Sequence, residues 1–344
     1  MGRTGKILVI KPSSLGDVVH TFPALELLRR SYPDMELDFV IHPAFADLLD
    51  LSPFPVRKKI LFNRRELGSF RHGAAELFKL VREIRKEVYE ITIDFQGLFR
   101  SGFLSWCSRS CIVAGFASPR EKSAAWFYNR KVDVLMEQHA VSRYAELVNK
   151  LCCTSFPVPD VAIPLRDQGL PPLPEHFAVI VPGARWESKV FPPELFGKIF
   201  LEARNAVPGC GAVIVGGPGE KAAAETIRKM IPDAIDLTGK TSLAQLVTVM
   251  ALAQAVLTND SGPMHIAALA RTPVFALFGP TLPELTGPYG AEHRVFKRDD
   301  LSCCGCMKRS CPMTPGLLCH NIAPLRVGTE LGIFLKQKIS EATS

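Results

Sequence analysis

Apolar runs the length of a buried strand alternate with segments of helical periodicity along almost the whole chain. This alternation limits the fold more than any other feature. A run with no polar face suits a strand buried on both sides, as in a parallel sheet. Residues 6–11 form the first such run. The turn Pro12-Ser13-Ser14-Leu15-Gly16 follows, then a helix expected over 17–30 with Val18, Phe22, Leu25 and Leu28 on one face. Further strands are expected at 37–41, 91–95 and 113–116, and an amphipathic helix at 77–88. Pro157, Pro159, Pro164, Pro171, Pro172 and Pro174 then fall within eighteen residues, an extended stretch suited to a domain boundary. Beyond it the alternation resumes, with strands at 178–181, 212–215, 255–259 and 274–278 and helices at 193–206, 220–230, 242–253 and 263–269. Strand-helix alternation implies an α/β fold with right-handed crossovers, here in two copies. Open sheets of this kind bind ligands at the carboxyl ends of their strands.

The bulk numbers agree with two domains. The chain has 344 residues, 47% hydrophobic and 22% charged, enough to bury two cores. After Arg3 and Lys6 the apolar stretch runs only from Ile7 to Ile10, too short for a secretory leader, so no signal peptide is expected. Residues 241–259 carry no charge, but Thr241, Ser242, Gln245, Thr248, Gln254, Thr258 and Asn259 make them too polar for a lipid-facing helix. Ten cysteines without a leader point to reduced thiols rather than a disulfide framework. The net charge is +7, and residues 57–90 hold ten Lys or Arg against five Glu. That stretch is either a solvated helical face or an attractive field for an acidic partner. No interleaving of aromatic residues and glycine marks an RNA-binding module, so no nucleic-acid partner is expected.

Four segments carry chemistry. Asp17 lies past the first strand at a helix start, where an aspartate serves as a cap and where a carboxylate can also act as general base. His20, one turn on, is the rival base. Pro182-Gly183-Ala184-Arg185, followed by Lys189, lies between a strand and a helix, where backbone N–H groups and an ammonium can hold a diphosphate. Gly216-Gly217-Pro218-Gly219-Glu220 is a second strand-to-helix turn, without the spacing of a dinucleotide fingerprint. Asn259-Asp260-Ser261-Gly262-Pro263-Met264-His265 is the most informative, because Pro263 suits a first helical position and leaves free N–H groups ahead of it.

In this order and spacing, these motifs resemble glycosyltransferase family 9, the ADP-heptose:lipopolysaccharide heptosyltransferases. The resemblance rests on residues 10–20, on Asp94-Phe95-Gln96-Gly97-Leu98, on residues 259–265 and on Phe278-Gly279-Pro280-Thr281. Phe127-Tyr128-Asn129-Arg130 and Gln138-His139-Ala140-Val141 are most similar to the family's heptosyltransferase I members. Where those members often carry two threonines near the phosphates, this chain has Ala184 and Arg185.

The resemblance implies a GT-B fold of two facing Rossmann-like domains with a central cleft. An acceptor-binding domain at 1–165 and a nucleotide-sugar domain at 175–325 would be followed by a C-terminal segment, 326–344, whose helix crosses back to the first domain. It implies inverting, metal-independent transfer of heptose from ADP-heptose to the Kdo–lipid A inner core. Asp17 would be the base and Lys189 the cation that neutralises the departing diphosphate. Arg185, Glu220, Thr241, Asp260, Ser261, Gly262 and His265 would bind the donor, with Thr241 in the adenine turn. Ser14, Gly16, Gln96, Arg120 and His139 would lie on the acceptor side. Base and donor site fall in different halves, so the domains would have to close. No cofactor is required, and no Asp-x-Asp occurs to hold a divalent ion on the diphosphate. The setting implied is cytoplasmic, peripheral at the inner face of the inner membrane.

Cys303, Cys306, Cys311 and Cys319 are candidate ligands for a structural zinc or an iron–sulfur cluster, although their spacing matches no standard zinc pattern. The other readings are a GT-B sugar-nucleotide epimerase, which needs no lipid acceptor, and a nucleotide- or metal-binding protein without catalysis.

Overall fold

The computed structural model describes residues 5–52, 54–63, 73–161, 163, 169–313 and 316–342. Arg64 and Arg65, in the middle of the basic stretch, lie outside them. The chain divides into two compact units, Met1–Pro164 and Leu165–Ser344.

The first unit contains β1 (Lys6–Ile10), α1 (Leu15–Val19), α2 (Phe22–Ser31), β2 (Glu36–Ile41), β3 (Val56–Leu61), α3 (Gly73–Ile84), β4 (Ile91–Asp94), α4 (Phe99–Cys107), β5 (Ile112–Phe116), β6 (Arg130–Val132) and α5 (Ala140–Cys152). Its six strands are parallel in the order β3-β2-β1-β4-β5-β6. The order reverses between β1 and β4, and such a switch point opens a crevice at the strands' carboxyl ends.

The helix expected over 17–30 is two helices. Pro23 has no N–H to donate, and its ring would meet the carbonyl four residues back, so the first helix stops at Val19. Thr21 closes the joint by donating its hydroxyl to the Val18 carbonyl at 2.6 Å. Much of the basic stretch is tied up locally. Arg57 bonds the fully buried Asp38 through Nε at 2.9 Å, and Tyr89 donates to the same carboxylate at 2.7 Å. Lys58 pairs with Glu83, and Lys59 with Asp50. The strand β3 thus carries its charges as an edge strand with its own counter-ions.

The second unit repeats the plan with β7 (Phe177–Val181), α6 (Pro193–Ala206), β8 (Gly211–Ile214), α7 (Lys221–Met230), β9 (Ile235–Asp236), α8 (Leu243–Leu252), β10 (Ala255–Asn259), α9 (Gly262–Leu269), β11 (Val274–Leu277), α10 (Pro283–Thr286), β12 (Arg294–Phe296) and α11 (Pro324–Ala342). Its parallel sheet runs β12-β11-β10-β7-β8-β9, the same winding, with its switch point between β7 and β10.

The last helix, α11, packs along α6 within this unit, burying Val327, Leu331, Phe334 and Leu335 in one core with Ile199, Phe200 and Ala203. Each such side chain contributes roughly 1.5–3 kcal/mol by leaving water. The helices touch backbone to backbone, since a Cβ on Gly332 would lie 2.8 Å from the Ala203 carbonyl oxygen. Gly332→Val therefore pushes α11 off its seat at a cost of about 1–3 kcal/mol. A melting temperature lowered by several degrees is the expected readout, and an unchanged one would mean the helices can separate freely.

Candidate functional site

In the first unit most of the residues expected on the acceptor side lie near the carboxyl ends of β1, β4 and β5. Ser14 precedes α1, and its N–H and hydroxyl both donate to Asp17 Oδ2, at 2.9 and 2.7 Å. The cap role of Asp17 is therefore real, as the third helical residue reaching back to the N-cap. The cap engages Oδ2. The other, Oδ1, lies 3.8 Å from the Lys11 ammonium, and the Asp17 side chain remains 36% exposed. His20 is buried, its ring edge-on to His139 at 5.2 Å. Of the two candidate bases, only Asp17 is open to a substrate.

Lys11 follows β1 almost wholly buried, donating to the Phe95 carbonyl at 3.3 Å and lying 5.2 Å from the centre of the Tyr144 ring. Burial works against its charge, but Asp17, Tyr144 and the more distant Asp94 outweigh it and hold the ammonium above its ordinary pKa. No role is assigned to Lys11 from the sequence alone. The signal was there: a lysine closing a run of residues that are otherwise buried on both faces.

Asp94, fully buried at the end of β4, shapes the next turn. Its Oδ1 accepts the N–H groups of Gln96 and Gly97 at 2.8 and 3.1 Å, and Tyr128 donates to Oδ2 at 2.6 Å. Burial pushes its pKa up, against those hydrogen bonds. Gly97 takes a left-handed φ of 66°, which a side chain would strain. The turn so formed presents the Gln96 amide oxygen to the Ser13 N–H at 3.2 Å and abuts Arg120, which is exposed. Ser14, Gly16, Asp17, Gln96 and Arg120 thus share one rim. His139 caps α5, its Nδ1 accepting the Val141 N–H at 3.2 Å, and so has a structural task.

In the second unit the expected donor residues lie at the carboxyl ends of β7 to β10. Lys189 reaches across the switch point to Asp260, with Nζ 2.6 Å from Oδ2. Thr281 donates to the same oxygen at 2.5 Å, and the Lys189 ammonium lies 4.6 Å from the centre of the Trp186 ring. Both side chains of the ion pair are largely buried. Asn259 fixes the neighbouring turn by donating Nδ2 to the Pro182 carbonyl at 2.6 Å. Glu220 covers Gly183, where a Cβ would meet its Cγ at 2.5 Å. Thr241 follows Gly239, whose N–H bonds the Gly216 carbonyl at 2.8 Å, so the turns after β8 and β9 lean on each other. Ser261 precedes α9, its hydroxyl 3.3 Å from that of Thr258, and Gly262 opens the helix. Arg185 is exposed, whereas His265 is buried within α9.

The cysteine-rich tail was expected to hold a structural metal. Cys303, Cys306, Cys311 and Cys319 line a single cavity of about 100 Å³ with Met313, Leu317 and Leu318. Among the described residues, however, no group of three or more His, Cys, Asp or Glu side chains is arranged to hold a metal ion. Cys311 Sγ accepts the Leu317 N–H at 3.4 Å. The described residues thus give the anticipated zinc or iron–sulfur ligand set no support.

What the tail does is grip the turn that carries Lys189. Ser188 donates its N–H to the Arg309 carbonyl at 3.2 Å and its hydroxyl to the Lys308 carbonyl at 2.7 Å. His320 Nε2 lies 2.8 Å from the Ser188 carbonyl, and its ring stacks on Phe191 at 4.1 Å.

Burial holds the His320 imidazole below its ordinary pKa, against the pull of the Ser188 carbonyl. A group with a lower pKa in the folded state contributes stability that is full above the unfolded value, about 6.5, and lost as pH falls through the folded value. The melting temperature should therefore drop on acidification from neutral pH. In His320→Gln it should be lower at neutral pH and respond less to acid. A variant with the wild-type pH profile would show that His320 carries none of this dependence.

The sequence profile of glycosyltransferase family 9 (heptosyltransferase) matches residues 77–316. The chain is 31% identical over 326 residues to lipopolysaccharide heptosyltransferase 1 of Pseudomonas aeruginosa, covering 90% of this chain and 88% of that protein. E. coli heptosyltransferase WaaC with ADP superposes with a TM-score of 0.73 at 28% identity, over 84% of this chain and 92% of that one. E. coli ADP-heptose lps heptosyltransferase II gives a TM-score of 0.78 at 23% identity, over 97% and 99%, a likeness of fold. With Asp17 on one doubly wound unit and the Lys189–Asp260 pair at the switch point of the other, the chain belongs to glycosyltransferase family 9, the heptosyltransferases, and is a glycosyltransferase of GT-B fold.

Proposed function

We propose that this enzyme transfers heptose from ADP-heptose to the Kdo–lipid A inner core of lipopolysaccharide, with inversion at the anomeric carbon and without a divalent metal. The observation that carries this reading is Lys189, a cation at the second switch point held in place by Asp260, Thr281 and Trp186. The ADP bound to the related WaaC and the 31% identical heptosyltransferase 1 support the donor and the reaction class.

The acceptor hydroxyl attacks the sugar C1 as Asp17 Oδ1 takes its proton. The bond from C1 to the phosphate oxygen breaks, and ADP leaves with the electron pair. Charge that grows on the diphosphate is met by Lys189 and by the N–H groups opening α9, donors fixed before the reaction begins. Each such donor can lower the barrier by roughly 3 kcal/mol. Arg185, Glu220 and Thr241 would lie along the nucleotide, and Ser14, Gln96 and Arg120 along the acceptor.

A lipid-linked acceptor places the enzyme peripherally on the inner membrane. Among the described residues no helix is long and apolar enough to cross it. The test is to mix the protein with ADP-heptose and Kdo–lipid A. Expected are ADP release that depends on the acceptor, a lipid product heavier by one heptose, an inverted anomeric configuration, and no loss of rate with chelator. ADP release that ignores the acceptor, or a product without heptose, would refute the assignment.

A further inference from the structure

In the first unit, α3 and α4 lie side by side with their apolar faces in one core, which joins Leu80, Ile84 and Leu104. Their outer faces each show a stripe at helical spacing. On α3 it is Phe78 and Arg82, with Arg85 in the turn just beyond; on α4 it is Phe99, Phe103 and Trp106.

Covering an outer face with aromatic rings is costly in water, yet Phe78 is 70%, Trp106 56% and Phe99 43% exposed. Trp126, on the neighbouring 3-10 helix Lys122–Phe127, is 77% exposed. The rings form a chain. Phe127 meets Phe99 at 5.2 Å and Phe103 at 5.9 Å, and Phe103 meets Trp106 at 6.1 Å.

That chain ends at a cavity of about 370 Å³ walled by Trp106 and Phe127, with Arg85 and Arg109 on its rim. Arg85 is held there by donating Nε to the Cys107 carbonyl at 3.0 Å. The nearby acids are engaged: Glu83 with Lys58 and Lys86, Glu76 with Lys79, and Glu121 with the Phe99 N–H. The cavity adjoins residues that precede β5 and β6, the end of the sheet opposite Asp17. It is therefore no part of the transfer site.

We propose that this face docks the enzyme on an anionic phospholipid bilayer, with Trp106 and Trp126 in the headgroup layer and a lipid phosphate between Arg85 and Arg109. Trp rings favour that layer because they are apolar with one polar edge, and guanidinium groups pair with phosphate through two parallel hydrogen bonds. Juxtamembrane arginines gain further from the negative surface potential. Phe99 sits beside the Gln96 turn, so the same face leads toward the acceptor rim. The inference rests on the lipid-acceptor reading above and is tested apart from it.

The full-length protein is sedimented with vesicles of phosphatidylcholine alone and of phosphatidylcholine mixed with phosphatidylglycerol, while tryptophan emission is recorded. The wild type should sediment with the mixed vesicles only, with a blue shift, and should be released by salt. Trp106→Ala with Trp126→Ala, and separately Arg109→Gln, should lower partitioning, the pair by about tenfold or more. Their melting temperatures, and kcat with a delipidated water-soluble acceptor, should stay at wild-type values. Wild-type partitioning that ignores lipid charge, variants that sediment like wild type, or tryptophan shifts produced by a single-stranded RNA oligomer rather than by vesicles would each overturn the proposal. Vesicle binding by a protein inactive on every acceptor would leave this surface standing and remove the assigned reaction instead.

Discussion

Asp17→Asn should lower kcat by about 100- to 10,000-fold, the usual contribution of a general base, while ADP affinity stays unchanged. The reasoning depends on the two jobs of this side chain. Its Oδ2 closes a hydrogen-bonded box with Ser14, and its Oδ1 faces Lys11 and solvent. An asparagine retains a carbonyl oxygen that can accept the Ser14 N–H, so the start of α1 and the melting temperature should survive. What is lost is an atom able to take a proton. Asp17→Ala confounds the two effects, because it also removes the cap, at about 1 kcal/mol. ADP affinity serves as the internal control, since the residues proposed to bind the donor lie on the second unit. A fall in kcat of less than about tenfold in Asp17→Asn would leave the carboxylate with capping alone. His20 would not inherit the role, being 4% exposed and packed against His139.

Lys189→Ala should weaken ADP binding by about 1.5–3 kcal/mol, roughly 10- to 150-fold, the worth of a charge-assisted hydrogen bond. Turnover should fall with it, because the same ammonium meets the growing charge on the leaving diphosphate. A second effect follows from the ion pair. Without Lys189 the Asp260 carboxylate, 5% exposed, keeps the Thr281 hydroxyl but loses its cation. Leaving a buried charge in that state lowers stability by up to about 3 kcal/mol. Combining Lys189→Ala with Asp260→Asn should restore the melting temperature and leave ADP affinity low. Calorimetry on the three proteins separates the contributions. Normal ADP affinity in Lys189→Ala would remove Lys189 from the donor site, and a double variant no more stable than the single would mean that Asp260 does not need its cation.

The sequence by itself determined the architecture as far as burial on both faces could reveal it. Every central strand, β1, β2, β4 and β5 in one sheet and β7, β8, β10 and β11 in the other, is mostly apolar, with Asp38 in β2 and Asp94 at the end of β4 as buried exceptions. Its position could be read because a strand covered by helices on both sides has no polar face to keep. The four strands that escaped, β3, β6, β9 and β12, are the four edges of the two sheets. An edge strand is short and half wet, and it carries charge that blunts pairing with another chain. In β3 that charge is Arg57, Lys58 and Lys59, which read in sequence as part of a basic field. Only the fold brings Asp38, Glu83 and Asp50 alongside them.

The site divides in the same way. Asp17, Lys189 and Asp260 were legible because each follows a strand and opens or precedes a helix, a position that the alternation alone assigns. The pairing of Lys189 with Asp260 was not, since the residues are far apart in sequence and meet only because β7 and β10 are neighbours at the switch point. Nor was the choice between Asp17 and His20. Both lie within four residues of chain, and only the fold shows that His20 is buried against His139 while the Asp17 side chain stays partly exposed. The cysteines show the opposite case. Closeness in sequence suggested a shared ligand, whereas the fold turned that loop into a clamp on Ser188, placing thiols around a small apolar cavity. Spacing along a chain fixes which groups can meet, but the packing around them fixes which way they point.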